Sequence, residues 1–178
     1  MNLNTTLSIL LTFLFAVAIL ALPLEAEKLV GTTSKIVNNE GKEIGELTLT
    51  QGTSGVLVKI KAAELPEGYH GMHFHAVGDC SDLKKFSSAK GHVDPHKKPH
   101  GFLNVKGPHE GNLPNLVVNS NGSVEVELYT ELVSLTKGDA NLLDQDGSAL
   151  IIHQNKDDHR SQPIGGSGGR LACAEIKK

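Results

Sequence analysis

The sequence predicts an all-β fold, and three observations support that prediction. Helical periodicity is almost absent after the apolar N-terminus, short β-rich runs recur between clusters of Gly, Asn, Asp and Pro, and residues 119–122 (NSNG) have the composition of a hairpin turn. Asn and Gly favour such a turn because both tolerate positive φ. Eight short runs suit an antiparallel sandwich or barrel, with candidate strands at residues 29–37, 43–50, 55–62, 71–77, 115–118, 124–129, 149–153 and 171–176.

The N-terminal segment has the features of a signal peptide. Residues 7–22 form an almost uninterrupted apolar run, which is shorter than the about 20 residues that a membrane span needs, and Pro23 and Ala26 follow it. We therefore expect residues 1–26 to be a signal peptide and residues 27–178 to form one domain, which is periplasmic or secreted and contacts no membrane after cleavage. An uncleaved anchor is the alternative, because residues 1–6 contain no Lys or Arg.

Charge and cysteine content narrow the function classes further. The formal net charge is −3, and loss of the leader, whose only charged residue is Glu25, changes it to −2. Nothing in this balance indicates nucleic-acid binding, which needs a basic surface. The chain has two cysteines, Cys80 and Cys173, and both follow the leader. In an exported chain, two cysteines predict one disulfide.

Histidines are concentrated in one part of the sequence, where seven of the nine lie between residues 70 and 109. His73 and His75 are separated by one residue on a predicted strand, so both imidazoles project from the same face. Such a pair chelates a borderline metal, and additional imidazoles would suit copper, which accepts tetragonal nitrogen coordination. For an isolated pair, two surface histidines would be the simpler interpretation.

Two long segments, residues 78–114 and 154–170, do not match the pattern of a strand. Loops of this length usually mean function or disorder. The first contains His92, His100 and His109 in a Gly- and Pro-rich context, where no regular element would bring the three rings together. A loop organised by metal explains this spacing, whereas a solvated histidine-rich loop that binds metals loosely is the alternative.

Five motifs, in one order along the chain, resemble those of the copper/zinc superoxide dismutase family in its bacterial exported branch. The resemblance extends from about residue 29 to residue 176, and the motifs are HGMHFHAVGDC at residues 70–80, GHVDP at 91–95, HG at 100–101, GPHEGNLP at 107–114 and GGSGGRLAC at 165–173. It implies an eight-stranded antiparallel Greek-key β-sandwich or flattened barrel with two long functional loops. It also implies an enzyme that converts superoxide to oxygen and hydrogen peroxide with copper and zinc as cofactors.

The same resemblance implies roles for individual residues. The copper ligands would be His73, His75, His92 and His153, and the zinc ligands His92, His100 and His109, so that His92 bridges the two ions. Arg170 would dock superoxide beside the copper. Asp157 would accept hydrogen bonds from one copper and one zinc histidine, which we expect to be His73 and His100, and so would fix their ring orientation. Its neighbour Asp158 is the competing candidate for this role.

The fourth zinc position departs from the family pattern. The family has Asp there, and this chain has Asn112. An amide oxygen contributes only a dipole where a carboxylate contributes a full charge, so Asn112 is expected to bind zinc more weakly. Two interpretations stay open: Asn112 coordinates zinc through its amide oxygen, or it hydrogen-bonds within the loop and water or Glu110 takes its place.

Two alternative functions would require only some of these residues. A copper-binding or copper-delivery protein on this fold needs His73, His75 and His153 but neither a bridging His92 nor Arg170. A secreted immunoglobulin-like interaction module accounts for the strands but not for the histidines. We assign no metal to His70, which is expected to hydrogen-bond backbone and hold the first long loop, or to the solvated His96 and His159. Whether the chain is a monomer or a homodimer is left open.

Overall fold

The computed structural model describes residues 29–178, so the predicted signal peptide lies outside the described residues. Within them the protein contains nine β-strands and one turn of 3-10 helix at Ser87–Ala89, and none of its helices is long and apolar enough to span a membrane. The strands are β1 (Gly31–Asn38), β2 (Glu43–Gln51), β3 (Val56–Ala62), β4 (Gly68–His70), β5 (Met72–His75), β6 (Leu116–Val118), β7 (Val124–Thr130), β8 (Ser148–His153) and β9 (Arg170–Ile176).

Seven strands form one curled antiparallel sheet in the order β5-β8-β9-β1-β2-β3-β7, and β4 pairs with β6 in a second sheet. The buried apolar side chains of both sheets pack into one core. The predicted all-β sandwich is therefore confirmed. In this order β5 and β8 are neighbours although about 70 residues separate them in sequence, which brings distant histidines together.

The alternation of residue types in β3 explains why this strand is half-buried. Val56, Val58 and Ile60 face the core, whereas Lys59 and Lys61 face solvent. The two lysines pair across to glutamates of β7, with Nζ to Oε2 distances of 2.8 Å for Lys59–Glu127 and 3.7 Å for Lys61–Glu125. Exposed ion pairs contribute about 0–1 kcal/mol each, so the buried face supplies most of the stability of this strand.

The strand predicted at residues 71–77 is shorter in the structure, where β5 covers Met72–His75, and a strand that was not predicted, β4 at Gly68–His70, precedes it and raises the strand count from eight to nine. The N–H of Gly71 donates to the carbonyl of Asn155, and its own carbonyl accepts from the N–H of His153. A Cβ at this position would lie 2.4 Å from Oγ of Ser167, so only glycine allows the close approach. The chain therefore leaves β6 at Gly71 and pairs with β8, beside the end that carries His153.

Both predicted long loops lack strands, but a third irregular segment, residues 131–147, is also present and was not predicted. Its apolar side chains, including Leu135 and Leu142, are buried in the core. The Oε1 atom of Gln51 accepts hydrogen bonds from the N–H of Leu135 and the hydroxyl of Ser134. Side-chain bonds thus satisfy part of this backbone without a strand partner, which a sequence pattern does not reveal.

A disulfide joins Cys80 in the first long loop to Cys173 in β9, as the two cysteines of the sequence predict. Both sulfur-bearing side chains are buried in a small second core, together with Phe86 and Ala89 of the same loop and Ala149 and Ile151 of β8. The first long loop is therefore fastened to the sheet by a covalent bond and by apolar packing, close to the point where β9 begins at Arg170.

Candidate metal centre

Four histidines from three parts of the chain converge at one edge of the large sheet. His73 and His75 lie on β5, His153 ends β8, and His92 comes from the first long loop, where it bridges to His75. Because β5 and β8 are paired, the side chains of all four can reach one point. One ring nitrogen from each residue lies within 4.8 Å of the others, a geometry that could hold a metal ion.

The ring nitrogens that face this point have no hydrogen-bond partner among the described residues: His73 Nδ1, His75 Nε2, His92 Nε2 and His153 Nε2. Burial lowers the pKa of all four rings. The pKa of His153 falls to about 3, through burial and then through nearby His73. That of His75 falls well below its ordinary value, through burial and the charge of Arg170. Neutral imidazoles with free lone pairs are the form that binds copper or zinc, so these residues fit a metal.

A second cluster shares one residue with the first. The Nε2 atom of His109 lies 2.8 Å from Nδ1 of His92 and 3.3 Å from Nδ1 of His100, and the three residues together could hold another ion. His92 therefore directs Nε2 to one cluster and Nδ1 to the other. The pKa of His109 falls to about 4 because its ring is buried and because His100 lies beside it.

Asp157 connects the two clusters through a buried carboxylate. Its Oδ2 lies 2.7 Å from Nε2 of His73, and its Oδ1 lies 3.0 Å from Nε2 of His100. Burial alone would raise the pKa of this carboxyl, but the hydrogen bonds from His100 and His73 outweigh burial and lower it. The charged carboxylate accepts one N–H from each ring and so leaves Nδ1 of both rings available for metal.

Arg170, at the start of β9, extends its guanidinium along the wall of the first cluster. One nitrogen donates to the carbonyl of Phe86, and the other donates to the carbonyl of Lys90 at 2.6 Å. Nδ1 of His75 lies 2.8 Å from the same Lys90 carbonyl. Phe86 and Lys90 have φ values of 48° and 63°, which non-glycine residues rarely adopt, and this backbone turns both carbonyls toward the arginine.

Asn112 is fully buried beside the second cluster. Its Oδ1 accepts a hydrogen bond from the N–H of Gly101 at 3.1 Å, and its Nδ2 lies 3.1 Å from Nδ1 of His100. Glu110, the alternative ligand considered from the sequence, binds Lys98 and His96 through Oε1 at 2.9 Å each, and its buried Oε2 has no hydrogen-bond partner among the described residues. The amide nitrogen of Asn112 therefore faces the histidines.

Sequence reasoning missed two residues that position the site. Gln162 holds the backbone of His100 at two points, because Oε1 accepts the His100 N–H and Nε2 donates to the His100 carbonyl, each at 2.9 Å. Asn115 does the same for Asp157, with distances of 2.8 Å and 2.9 Å. Neither residue carries a sequence signal, because an isolated amide in a loop resembles any solvated amide.

The three remaining histidines differ partly from expectation. His70 does contact backbone, with its ring nitrogens 2.9 Å from the carbonyl of His153 and 2.8 Å from that of Pro66, but neither partner belongs to the first long loop. His96 is half-exposed and pairs with Glu110. His159 was expected to be solvated; instead its Nε2 lies 3.1 Å from the amide of Asn115, because the turn that follows Asp157 folds the ring inward.

A cavity of about 470 Å³ opens onto both clusters. Its lining includes rings from each cluster and two cations, namely His75, His92, His100, His109, His153, Lys98 and Arg170. Lys98 is paired with Glu110 and Asp94 also lines the cavity, so the positive charge beside the first cluster comes from Arg170, although the chain as a whole has a net negative charge. A small anion can therefore be drawn to the first cluster.

Comparisons with known proteins agree with this geometry. Residues 43–176 match the family model described as copper/zinc superoxide dismutase. The copper/zinc superoxide dismutase 1 of Aquifex aeolicus is 44% identical over 148 residues, which cover 82% of this chain and 87% of that protein. The corresponding protein of Caulobacter vibrioides is 42% identical, with 82% and 84% covered.

Solved structures show the same fold. A superoxide dismutase-like protein from Bacillus subtilis superposes with a TM-score of 0.78 at 39% identity, covering 81% of this chain and 97% of that one. The copper/zinc superoxide dismutase from Brucella abortus gives a TM-score of 0.68 at 28% identity, covering 83% and 99%. The chain belongs to the copper/zinc superoxide dismutase family.

Proposed function

We propose that this protein is a superoxide dismutase, which converts superoxide to oxygen and hydrogen peroxide at a histidine-bridged copper/zinc centre. The observation that carries the proposal is the position of His92. Its two ring nitrogens belong to two different histidine clusters, and Arg170 lies on the wall of the same cavity. An imidazole shared by two metal sites, with an arginine beside it, would bring a redox metal, a second metal that orients the shared ring, and an anion-binding group together in one place.

The ligand sets follow from the ring nitrogens that face each cluster. His73, His75, His92 and His153 would hold copper, and His92, His100 and His109 would hold zinc. When bound, copper supplies the one-electron chemistry by which one superoxide is oxidised to oxygen and another is reduced to peroxide. Three neutral imidazoles and the imidazolate of His92, which has a lone pair on each nitrogen, suit copper, whereas a smaller set of ring nitrogens suits zinc.

The side chains of this chain supply the remaining requirements of the reaction. Arg170 attracts superoxide and orients it, because two backbone carbonyls fix its guanidinium beside the first cluster. Peroxide formation needs two protons. We propose that Nε2 of His92, when it is not bound to copper, holds and delivers one of them, while Nδ1 stays directed to the second cluster, and that solvent in the cavity delivers the other.

A protein that only stores or delivers copper would require fewer of these features. It has no need for an imidazole shared between two clusters, and no need for an arginine fixed by two carbonyls beside the first. The joint presence of both features therefore favours turnover.

The direct test is the turnover of superoxide by purified protein loaded with copper and zinc. We expect activity that rises in proportion to copper occupancy and disappears when a chelator removes the copper. Metal analysis of the same samples is the control, because it separates an inactive protein from one that lacks its metal. Full copper occupancy without turnover would contradict the proposed function and would favour copper storage or delivery.

We also propose that the protein is exported to the periplasm after cleavage of residues 1–26. The apolar run at residues 7–22 and the disulfide both support this, since disulfides persist in oxidising compartments. Mass spectrometry of protein from the exported fraction is expected to give a mature N-terminus near Glu27. A chain that still begins at Met1 would instead indicate a membrane anchor.

A further inference from the structure

We infer that zinc bound by His92, His100 and His109 keeps one exchangeable coordination position, which water or a small anion occupies. This inference rests on the proposed function, because it concerns the zinc of that centre. The family pattern would fill this position with a carboxylate, whereas this chain places the amide of Asn112 there. Structural zinc sites with four protein ligands are closed, whereas sites with three protein ligands remain open to exchange.

The orientation of the Asn112 amide is the first step of the argument. Oδ1 accepts the N–H of Gly101 at 3.1 Å, so the nitrogen end points at Nδ1 of His100 at 3.1 Å. An amide NH₂ group has two N–H donors and no acceptor lone pair suited to a cation. A zinc ion that takes Nδ1 of His100 therefore meets a group that cannot coordinate it.

Rotation of the amide by half a turn does not solve the problem. The NH₂ group would then face the N–H of Gly101, so that two donors would be buried against each other. A buried donor without a partner costs about 1–3 kcal/mol. The backbone of Gly101 is held in this position, because its carbonyl accepts the N–H of Asn104 at 3.1 Å.

Among the described residues, no carboxylate oxygen joins the three histidines of this cluster within 4.8 Å; Glu110, whose buried Oε2 has no hydrogen-bond partner, lies outside that group. The side chains whose ligand atoms lie close enough to share an ion at this cluster are three histidines, with no Asp or Glu among them. Asp157 already accepts from His73 and His100 through its two oxygens. Oδ1 of Asp94 accepts the backbone N–H of Lys98 at 2.8 Å, on the rim of the cavity.

The cavity supplies the exchanging ligand. All three rings of this cluster line it, together with Asp94 and with Lys98, whose ammonium group binds Glu110. Solvent can therefore reach the open position, and a zinc ion with only histidine ligands would keep a net positive charge, which favours a small monovalent anion over a cation. The ligand class that fits this position is thus water or an anion of the size of azide.

Cobalt(II) at the zinc position and copper(I) at the copper position give a protein whose visible absorption comes from cobalt alone. Titration with azide is expected to shift the cobalt bands saturably in the unmodified protein. Asn112→Asp supplies the missing carboxylate, so the cobalt site of this variant is expected to bind azide with an affinity lower by about 10-fold or more. The same variant should retain zinc against a chelator about 10- to 100-fold better than the unmodified protein. Asn112→Ala, the matched control, removes the amide without adding a ligand and should keep the azide response.

Each outcome bears on one of the two proposals. The inference of an open position would be contradicted if azide did not shift the cobalt bands of the unmodified protein, or if it shifted those of the Asp variant equally. Neither result would contradict the histidine cluster itself. A band that survives His100→Ala would show that cobalt lies elsewhere, and that result contradicts the metal assignment of the proposed function. If Asn112→Asp does not fold, comparison of the unmodified protein with Asn112→Ala still decides whether the position is open.

Discussion

Arg170→Ala is expected to lower superoxide turnover by about 10-fold or more with copper content unchanged, because in the proposed mechanism the guanidinium attracts the anion and does not bind the metal. The nitrogens of Arg170 are bound to the carbonyls of Phe86 and Lys90, while the unpaired ring nitrogens of the first cluster belong to histidines. Turnover and copper content, measured on the same samples, test this separation.

His153→Ala provides the contrasting variant. It removes one of the four rings of the first cluster, so we expect copper affinity itself to fall by more than about 100-fold and turnover to fall with it. Arg160→Ala is the matched control for the loss of one positive charge, because Arg160 is exposed and does not line the cavity. The turnover of this variant should equal that of the unmodified protein. Equal copper loss in Arg170→Ala and His153→Ala would mean that Arg170 supports the metal site and does not dock the substrate.

The histidine centre could be predicted because its chemistry is visible in residue types. Imidazoles are rare enough that His73, His75, His92, His100 and His109 in a short stretch indicate metal before any contact is known. Strand alternation placed His73 and His75 on one face. The pairing of β5 with β8, which brings His153 to the same point, is a long-range contact that only the family resemblance implied.

Other parts of the site could not be predicted because amide side chains have several equivalent uses. Asn112, Asn115 and Gln162 all bind backbone groups, and nothing in their local sequence distinguishes them from solvated residues. The orientation of Asn112 depends on the N–H of Gly101, which lies eleven residues earlier in the chain. The presence of Asn at position 112 therefore predicted where the proposed zinc site departs from the family pattern. Only the hydrogen bond with Gly101 shows which end of the amide faces the histidines.

The structure of the irregular segments could not be predicted from the sequence either. Residues 131–147 contain apolar side chains that fill the core without a strand, and their backbone is held in part by Gln51. Composition alone does not separate such a segment from a short connection between strands. β4 was missed for a related reason, because its three residues before Gly71 are too few to show an alternating pattern and form a strand only by pairing with β6.

The disulfide connects these structural features to the function of Arg170. Cys80 begins the loop segment that carries Phe86 and Lys90, and Cys173 lies three residues after Arg170 on β9. The bond thus holds the two carbonyls and the guanidinium that they fix in one unit. Loss of the bond is expected to loosen this unit before it disturbs the histidines of β5 and β8.

The double variant Cys80→Ala with Cys173→Ala is therefore expected to have two effects. Its free energy of unfolding should fall by about 4–5 kcal/mol, because the bond closes a loop with a sequence separation of 93 residues, and denaturant titration of the metal-free protein measures this. In the metal-loaded protein, turnover should fall more than copper content, as in Arg170→Ala. The variant avoids a thiol reductant, which would itself react with copper. Unchanged turnover per bound copper, despite lower stability, would show that Phe86 and Lys90 hold Arg170 without help from the disulfide.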